Sequence, residues 1–142
     1  FISSSYLEYA VDFDGDGQRN LWQTTDAIGS VANYFKRHGW RTNEAVAIAV
    51  DAQGKSHKKE GRMMKPHRSI ESFRQQGLVF DSAVQTKDNK AVLIKLDDQE
   101  GDEYWLGLHN FYVISRYNHI PLYSMAVFQL SEEIKKRIQK AQ

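Results

Sequence analysis

The 142 residues predict an α+β fold in which helical stretches flank a β-rich middle. Three observations carry this. Ile28, Val31, Ala32 and Phe35 recur at helical spacing within residues 27–38, with Gly39 in the terminating position. Residues 45–50 and 91–96 are short strand-like runs rich in valine and isoleucine. Near the end, Tyr123, Val127, Leu130, Ile134 and Ile138 make an apolar helical stripe, and Lys135, Lys136, Arg137 and Lys140 suit its C-terminus.

The elements follow in order. Ser3-Ser4-Ser5 predicts the cap of a short helix over residues 6–11, and Thr24-Thr25-Asp26 predicts the cap of the next helix. An acidic loop joins them. From residue 41 the character changes: a basic stretch (54–68) and a short amphipathic helix (69–76, closed by Gly77) lie between the strand-like runs. The turn at 97–101 leads into Glu103-Tyr104-Trp105-Leu106, and helical pattern resumes from Asn110. The expected division is a helical part with the loop (1–40), a small antiparallel β-rich module (41–102) and a second helical part (103–142).

Composition narrows the function classes. The net charge of +1 argues against a nucleic-acid protein, which carries a basic surplus. Zero cysteines exclude a disulfide scaffold and a thiolate metal site. No run of 18 apolar residues exists to span a bilayer as a helix.

The loop Asp12-Phe13-Asp14-Gly15-Asp16-Gly17 carries the chemistry. Carboxylates at alternate positions repel one another unless a cation sits between them, and calcium takes 6–8 hard oxygen ligands in irregular geometry. Asp12, Asp14, Asp16 and Gly17 match the EF-hand pattern, with Gln18 offering its backbone carbonyl. The twelfth position is Gln23 where the pattern has a bidentate glutamate, so Asp26 is the candidate for the missing charge in a longer loop. The alternative is an acidic connector rich in Asx-turns. A lone loop favours a structural over a sensing role for the ion.

Residues 9–17 (YAVDFDGDG), Asn20-Leu21-Trp22, residues 26–35 (DAIGSVANYF) and His38-Gly39-Trp40 resemble the membrane-bound lytic murein transglycosylase B family. Tyr104-Trp105, Asn110-Phe111-Tyr112, Ile114, Arg116-Tyr117-Asn118 and residues 123–127 (YSMAV) resemble its closing segment. The resemblance implies part of a lysozyme-like helical core with an EF-hand-like calcium loop, Asp26 as distant ligand, and an inserted β module. It implies cleavage of the MurNAc–GlcNAc bond of peptidoglycan to leave 1,6-anhydro-muramic ends. One glutamate then acts first as acid and later as base, outside the two-carboxylate scheme.

That glutamate lies in a Glu-Ser motif upstream of the loop in the family. Here Glu8, the one glutamate before Asp12, is followed by Tyr9, and Glu71-Ser72 sits downstream in the β-rich module as an expected surface pair. No catalytic residue is therefore expected in this chain, and the fragment alone is expected to be inactive. By matching position the resemblance assigns Tyr34, Tyr117, Asn118 and Tyr123 to the glycan groove; on spacing alone, tyrosines at helical positions read as core packing. Lys55, Lys58, Lys59, Arg62, Lys65 and Arg68 form a basic stretch able to meet peptide-stem carboxylates, with a solvated hairpin as the favoured reading, and Asp97, Asp98, Glu100, Asp102 and Glu103 read as an exposed acidic turn. The five histidines, His38, His57, His67, His109 and His119, lack metal spacing.

The leading expectation is thus a monomeric, calcium-holding portion of a periplasmic lytic transglycosylase acting on peptidoglycan glycan strands. Any outer-membrane attachment would come from a lipid anchor outside this chain. A non-catalytic, calcium-stabilised cell-wall glycan-binding module is the alternative from another class, and a purely structural calcium domain is a third.

Overall fold

The computed structural model describes residues 1–58, 64–84, 86–98 and 101–142. Its elements run α1 (Ser3–Tyr9), α2 (Thr24–Arg37), β1 (Ala47–Val50), β2 (Arg68–Ser69), α3 (Ile70–Gln75), β3 (Lys90–Asp98), β4 (Gly101–Gly107), α4 (His109–Tyr117) and α5 (Pro121–Ala141). The chain forms two compact units, Phe1–Trp40 and Arg41–Gln142. Lys59 and Arg62 of the basic stretch and Glu100 of the acidic turn lie outside the described residues.

In the first unit both predicted caps shift. Ser3–Ser5 form the first turn of α1 itself, because the chain already turns at Ile2, whose carbonyl accepts the Tyr6 N–H at 3.0 Å. Thr24-Thr25-Asp26 likewise open α2 after Gln23, and no side chain caps it, since the Asp26 carboxylate is turned to the loop. The C-terminus follows expectation. Gly39 is left-handed at φ 87, its N–H reaches the Lys36 carbonyl and the Trp40 N–H reaches that of Phe35. The Phe35 and Trp40 rings stack at 5.7 Å and complete this helix stop.

The buried face of α2 is not the apolar one predicted. Ile28 is 64% exposed, and the buried residues are Asp26, Gly29, Ser30 and Tyr34. This stripe still recurs at helical spacing, but each turn offers a polar group to residues 9–20. Asp26 accepts from the Phe13 and Asn20 N–H groups, the Ser30 hydroxyl oxygen accepts from the Val11 N–H at 3.0 Å, and Asn33 donates to the Tyr9 carbonyl at 2.9 Å. Gly29 leaves room for Phe13, whose ring carbon would lie 2.5 Å from any Cβ there.

The second unit is built on an antiparallel sheet in the order β1-β4-β3-β2. The boundary expected at residue 102 falls inside β4, whose residues 104–107 pair with both β1 and β3. The sheet therefore runs to Gly107, and residues 103–107 are strand instead of the start of the helical part. The short Tyr104-Trp105-Leu106 run takes this form because both its faces have apolar partners. Ala91, Leu93, Tyr104 and Leu106 pack with Ile48, Phe73 and Leu108, whereas Val92 and Ile94 pack with Phe111 and Met125, with Trp105 beside them. Burial on both faces explains the unbroken Ala91-Val92-Leu93-Ile94 run.

Asn110, wholly buried in α4, ties the start of this unit down. Its amide donates to the Arg41 and Glu44 carbonyls at 2.7 and 3.1 Å, and its Oδ1 accepts the Arg41 N–H at 2.8 Å. Arg41 in turn pairs with Asp88 at 3.2 Å; burial pushes the Asp88 carboxyl up, but the hydrogen bond and charge of Arg41 outweigh it and hold the carboxyl below its ordinary value. α5 departs from its predicted stripe. Ser124 and Met125 are its buried residues, while Leu130, Ile134 and Ile138 are 62%, 49% and 55% exposed.

Candidate functional site

Two groupings of site residues emerge, one in each unit. In the first, the loop between α1 and α2 folds around its own carboxylates. Asp12 accepts from the Gly15 N–H at 2.7 Å, the Asp16 N–H at 3.1 Å and the Gly17 N–H at 2.8 Å. Gly17 permits this tight return by adopting φ 88. Asp14 accepts the Asp16 N–H at 3.2 Å.

Asp26 closes the ring from α2. Its two oxygens accept the Phe13 and Asn20 N–H groups, each at 2.8 Å, and the residue is fully buried. The Asn20 amide first, and the Phe13 amide after it, hold this carboxyl below its ordinary value against the desolvation that pushes it up. One oxygen each from Asp12, Asp14 and Asp26 lies within 4.8 Å of the others. Asp16 is outside that group and accepts the Gln18 N–H at 2.8 Å instead. Hydrogen-bonded carboxylate oxygens keep a second lone pair, so this hard-oxygen set fits a divalent cation such as calcium.

The second grouping sits at the α4–α5 corner. Asn118 ends α4 in extended conformation, and its Oδ1 accepts the Ile120 N–H at 3.1 Å. Pro121 then opens α5 with the fixed φ of a first helical residue. This corner brings the Tyr117 and Tyr123 rings together, 6.4 Å apart at 19°, each 36% exposed. Burial, and to a lesser degree Tyr117, pushes the Tyr123 phenol up, so its hydroxyl is a donor at neutral pH.

Tyr34 has a different setting. It belongs to the first unit and is 8% exposed, edge-on to Tyr9 at 4.8 Å and stacked on His38 at 3.9 Å. Sequence reasoning also missed the partners that hold the loop, namely Asn20, Ser30 and Asn33. Their signal was present in the polar 26–30–33 spacing along α2. Glu71 is exposed on α3 and paired with Arg74 at 3.4 Å.

The chain belongs to the transglycosylase SLT domain family, whose model matches residues 1–132. It is 45% identical over 134 residues to membrane-bound lytic murein transglycosylase B of Escherichia coli K12, covering 94% of this chain and 36% of that protein. Among solved structures it resembles the E. coli lytic transglycosylase SLT35 in complex with calcium, with TM-score 0.77 and 44% identity over 98% of this chain and 43% of that one. It also resembles Pseudomonas aeruginosa SltB3 in complex with NAG-NAM-pentapeptide, with TM-score 0.76 and 30% identity over 95% of this chain and 37% of that one. The chain thus spans well under half the length of these relatives.

Proposed function

We propose that this chain is the calcium-holding, glycan-binding part of a lytic murein transglycosylase with a lysozyme-like core. The parent enzyme cleaves MurNAc–GlcNAc bonds without hydrolysis and leaves 1,6-anhydro-muramic ends. The observation that carries the reading is the open Tyr117–Tyr123 pair beside Asn118, in a chain of this family.

The stacked tyrosines offer a flat apolar surface to the C–H face of a sugar ring, and their hydroxyls meet its polar rim. With the Asn118 Oδ1 taken by Ile120, its NH₂ group is the donor left for an acetamido carbonyl. Tyr34, enclosed by Tyr9 and His38, contributes by packing and not as an open ring face. The carboxylates of Asp12, Asp14 and Asp26 are the ligands we assign to calcium. Asp16, held by the Gln18 N–H, and the Gln18 carbonyl of this EF-hand-like loop would join them only if that turn re-forms around the ion. When bound, the ion neutralises the clustered carboxylates and has a structural role. We assign the acid–base step to no glutamate of this chain, so it requires a carboxylate from elsewhere in the parent protein. A cell-wall substrate puts that parent in the periplasm. Among the described residues no helix is long and apolar enough to cross a membrane. We assign any outer-membrane attachment of the parent to a lipid anchor outside this chain.

Digestion of murein sacculi by the full-length parent tests the reading. Release of anhydro-muropeptides is expected, with Tyr117→Ala and Asn118→Ala lowering turnover more than tenfold, roughly the loss of one or two good contacts at about 1.4 kcal/mol per decade. Intact sacculi, or full activity in both variants, would overturn it.

A further inference from the structure

The second unit holds a cleft of about 860 Å³ with Asp51, Lys55 and Ser56 on one side and Asp102, Glu103 and Tyr104 on the other. It arises because the two neighbours of β4 differ in length. β3 accompanies β4 from Gly101 to Gly107, but β1 reaches only to Tyr104, opposite Val50. Beyond it the chain bends back at Gln53 and Gly54, both left-handed at φ 51 and 70, with the Lys55 N–H on the Ala52 carbonyl at 3.0 Å.

Strand alternation decides what the shortfall exposes. The Leu108 N–H donates to the Val46 carbonyl at 3.1 Å, so every second residue back along β4 turns its main chain toward β1. Leu106 and Tyr104 face Ile48 and Val50 there, and Asp102 is next. Among the described residues, no main-chain partner meets the Asp102 N–H and C=O on that side. An open strand edge at the wall of a cleft is a template for an extended peptide.

The charges select the kind of peptide. The Asp102 carboxylate is taken by Lys95 at 2.9 Å and the Tyr104 hydroxyl at 3.3 Å, Glu103 accepts the Trp105 indole N–H, and Asp51 holds Gln53. Lys55 is the cation of the cleft that makes no ion pair among the described residues. One main-chain pair is on offer, not a ladder, which suits a short peptide and not a protein strand.

We propose that this cleft seats a peptide stem borne by the glycan: one stem residue exchanges two hydrogen bonds, through its own N–H and C=O, with the main chain of Asp102, and a stem carboxylate lies on Lys55. This extends the murein reading above and rests on it for the source of the peptide.

Amide chemical shifts of the ¹⁵N-labelled chain test it with three probes: GlcNAc–MurNAc-pentapeptide, the same disaccharide without its peptide, and the free pentapeptide. Both peptide-bearing probes should shift Asp102, Glu103 and Lys55, and the bare disaccharide should shift only the Tyr117–Tyr123 region. Lys55→Glu should weaken the peptide-bearing disaccharide about fivefold and Lys55→Gln about half as much in log terms, as for a partly exposed ion pair, with the bare disaccharide unaffected. Undisturbed Asp102 with bound glycopeptide, equal affinity in Lys55→Glu, or no binding of either peptide probe at millimolar concentration would overturn the proposal. Peptide shifts at Asp102 with no response to the bare sugar would instead remove the glycan reading and leave the cleft standing.

Discussion

In Phe1–Trp40 the fully buried side chains are Asp26 and Ser30, whereas in Arg41–Gln142 they include Phe73, Leu106, Leu108 and Phe111. Both apolar clusters belong to the second unit. The first is organised by single hydrogen bonds from α2 to residues 9–20, around carboxylates that repel one another. Units of about 40 residues rarely bury enough surface to stand without a disulfide or a metal. The chain has no cysteine, so we propose that a cation held by Asp12, Asp14 and Asp26 does for the first unit what apolar packing does for the second.

The largest effect should fall on the apolar unit. Phe111→Ala empties a site packed by Val92, Ile94 and Met125, and about 3–5 kcal/mol should be lost in urea unfolding whether or not calcium is present. A loss that grows when calcium is removed would mean that the two units do not differ as described. Asn110→Ala should follow at about 2–4 kcal/mol, because the buried Arg41 N–H and two carbonyls lose their partner together. Here the exchange rate of the Arg41 amide is the direct readout.

How much of this was legible follows from which signals are local. The Gly39 helix stop, the 91–94 run and the Asp12–Gly17 loop are each set by neighbouring residues, and each could be read directly. The buried face of α2 could not. Ile28, Val31, Ala32 and Phe35 outscore Asp26, Ser30 and Asn33 in apolarity, but the latter have the hydrogen-bond partners, which lie 6 to 24 positions away. β4 escaped for a related reason, since its two faces are filled from β1, β3, α4 and α5 and three apolar residues announce little alone. The corner pair Tyr117 and Tyr123 was identified through family resemblance, and it depends on Asn118 and Pro121 setting the angle between two helices.

Calcium sharpens the comparison at intermediate size. At a hundredfold excess over its Kd the ion should stabilise by about 2.7 kcal/mol, and a chelator should remove this. The protection lost should concern the Gly15, Asp16 and Gly17 amides held by Asp12, with the sheet unaffected. Equal restoration by magnesium, or loss spread over β3 and β4, would count against a dedicated site. Smaller still is Gly29→Ala. Its new Cβ would meet the Phe13 ring at 2.5 Å and push the loop off α2, at about 1–3 kcal/mol, so calcium affinity should fall with no change in Tyr117–Tyr123 shifts.

The finest test uses acid, because at neutral pH it has no effect at all. The folded Asp26 carboxyl holds its proton less tightly than the unfolded one, which titrates near the ordinary value of 3.8. The unfolded state therefore binds more protons in the window just below that value, and stability must rise with pH there. The contribution is complete above about pH 5 and is lost as pH falls through the lowered folded value. Exchange of the Phe13 and Asn20 amides, which donate to this carboxylate, should accelerate relative to their intrinsic rates as pH falls below the ordinary value in calcium-free buffer. The Arg41 amide donates to the neutral Asn110 side chain and should keep its protection over the same range. In Asp26→Asn the acid slope should vanish. If the Arg41 amide opens at the same pH as Phe13 and Asn20, the loss is global, and the contrast between a charge-organised unit and an apolar one does not hold.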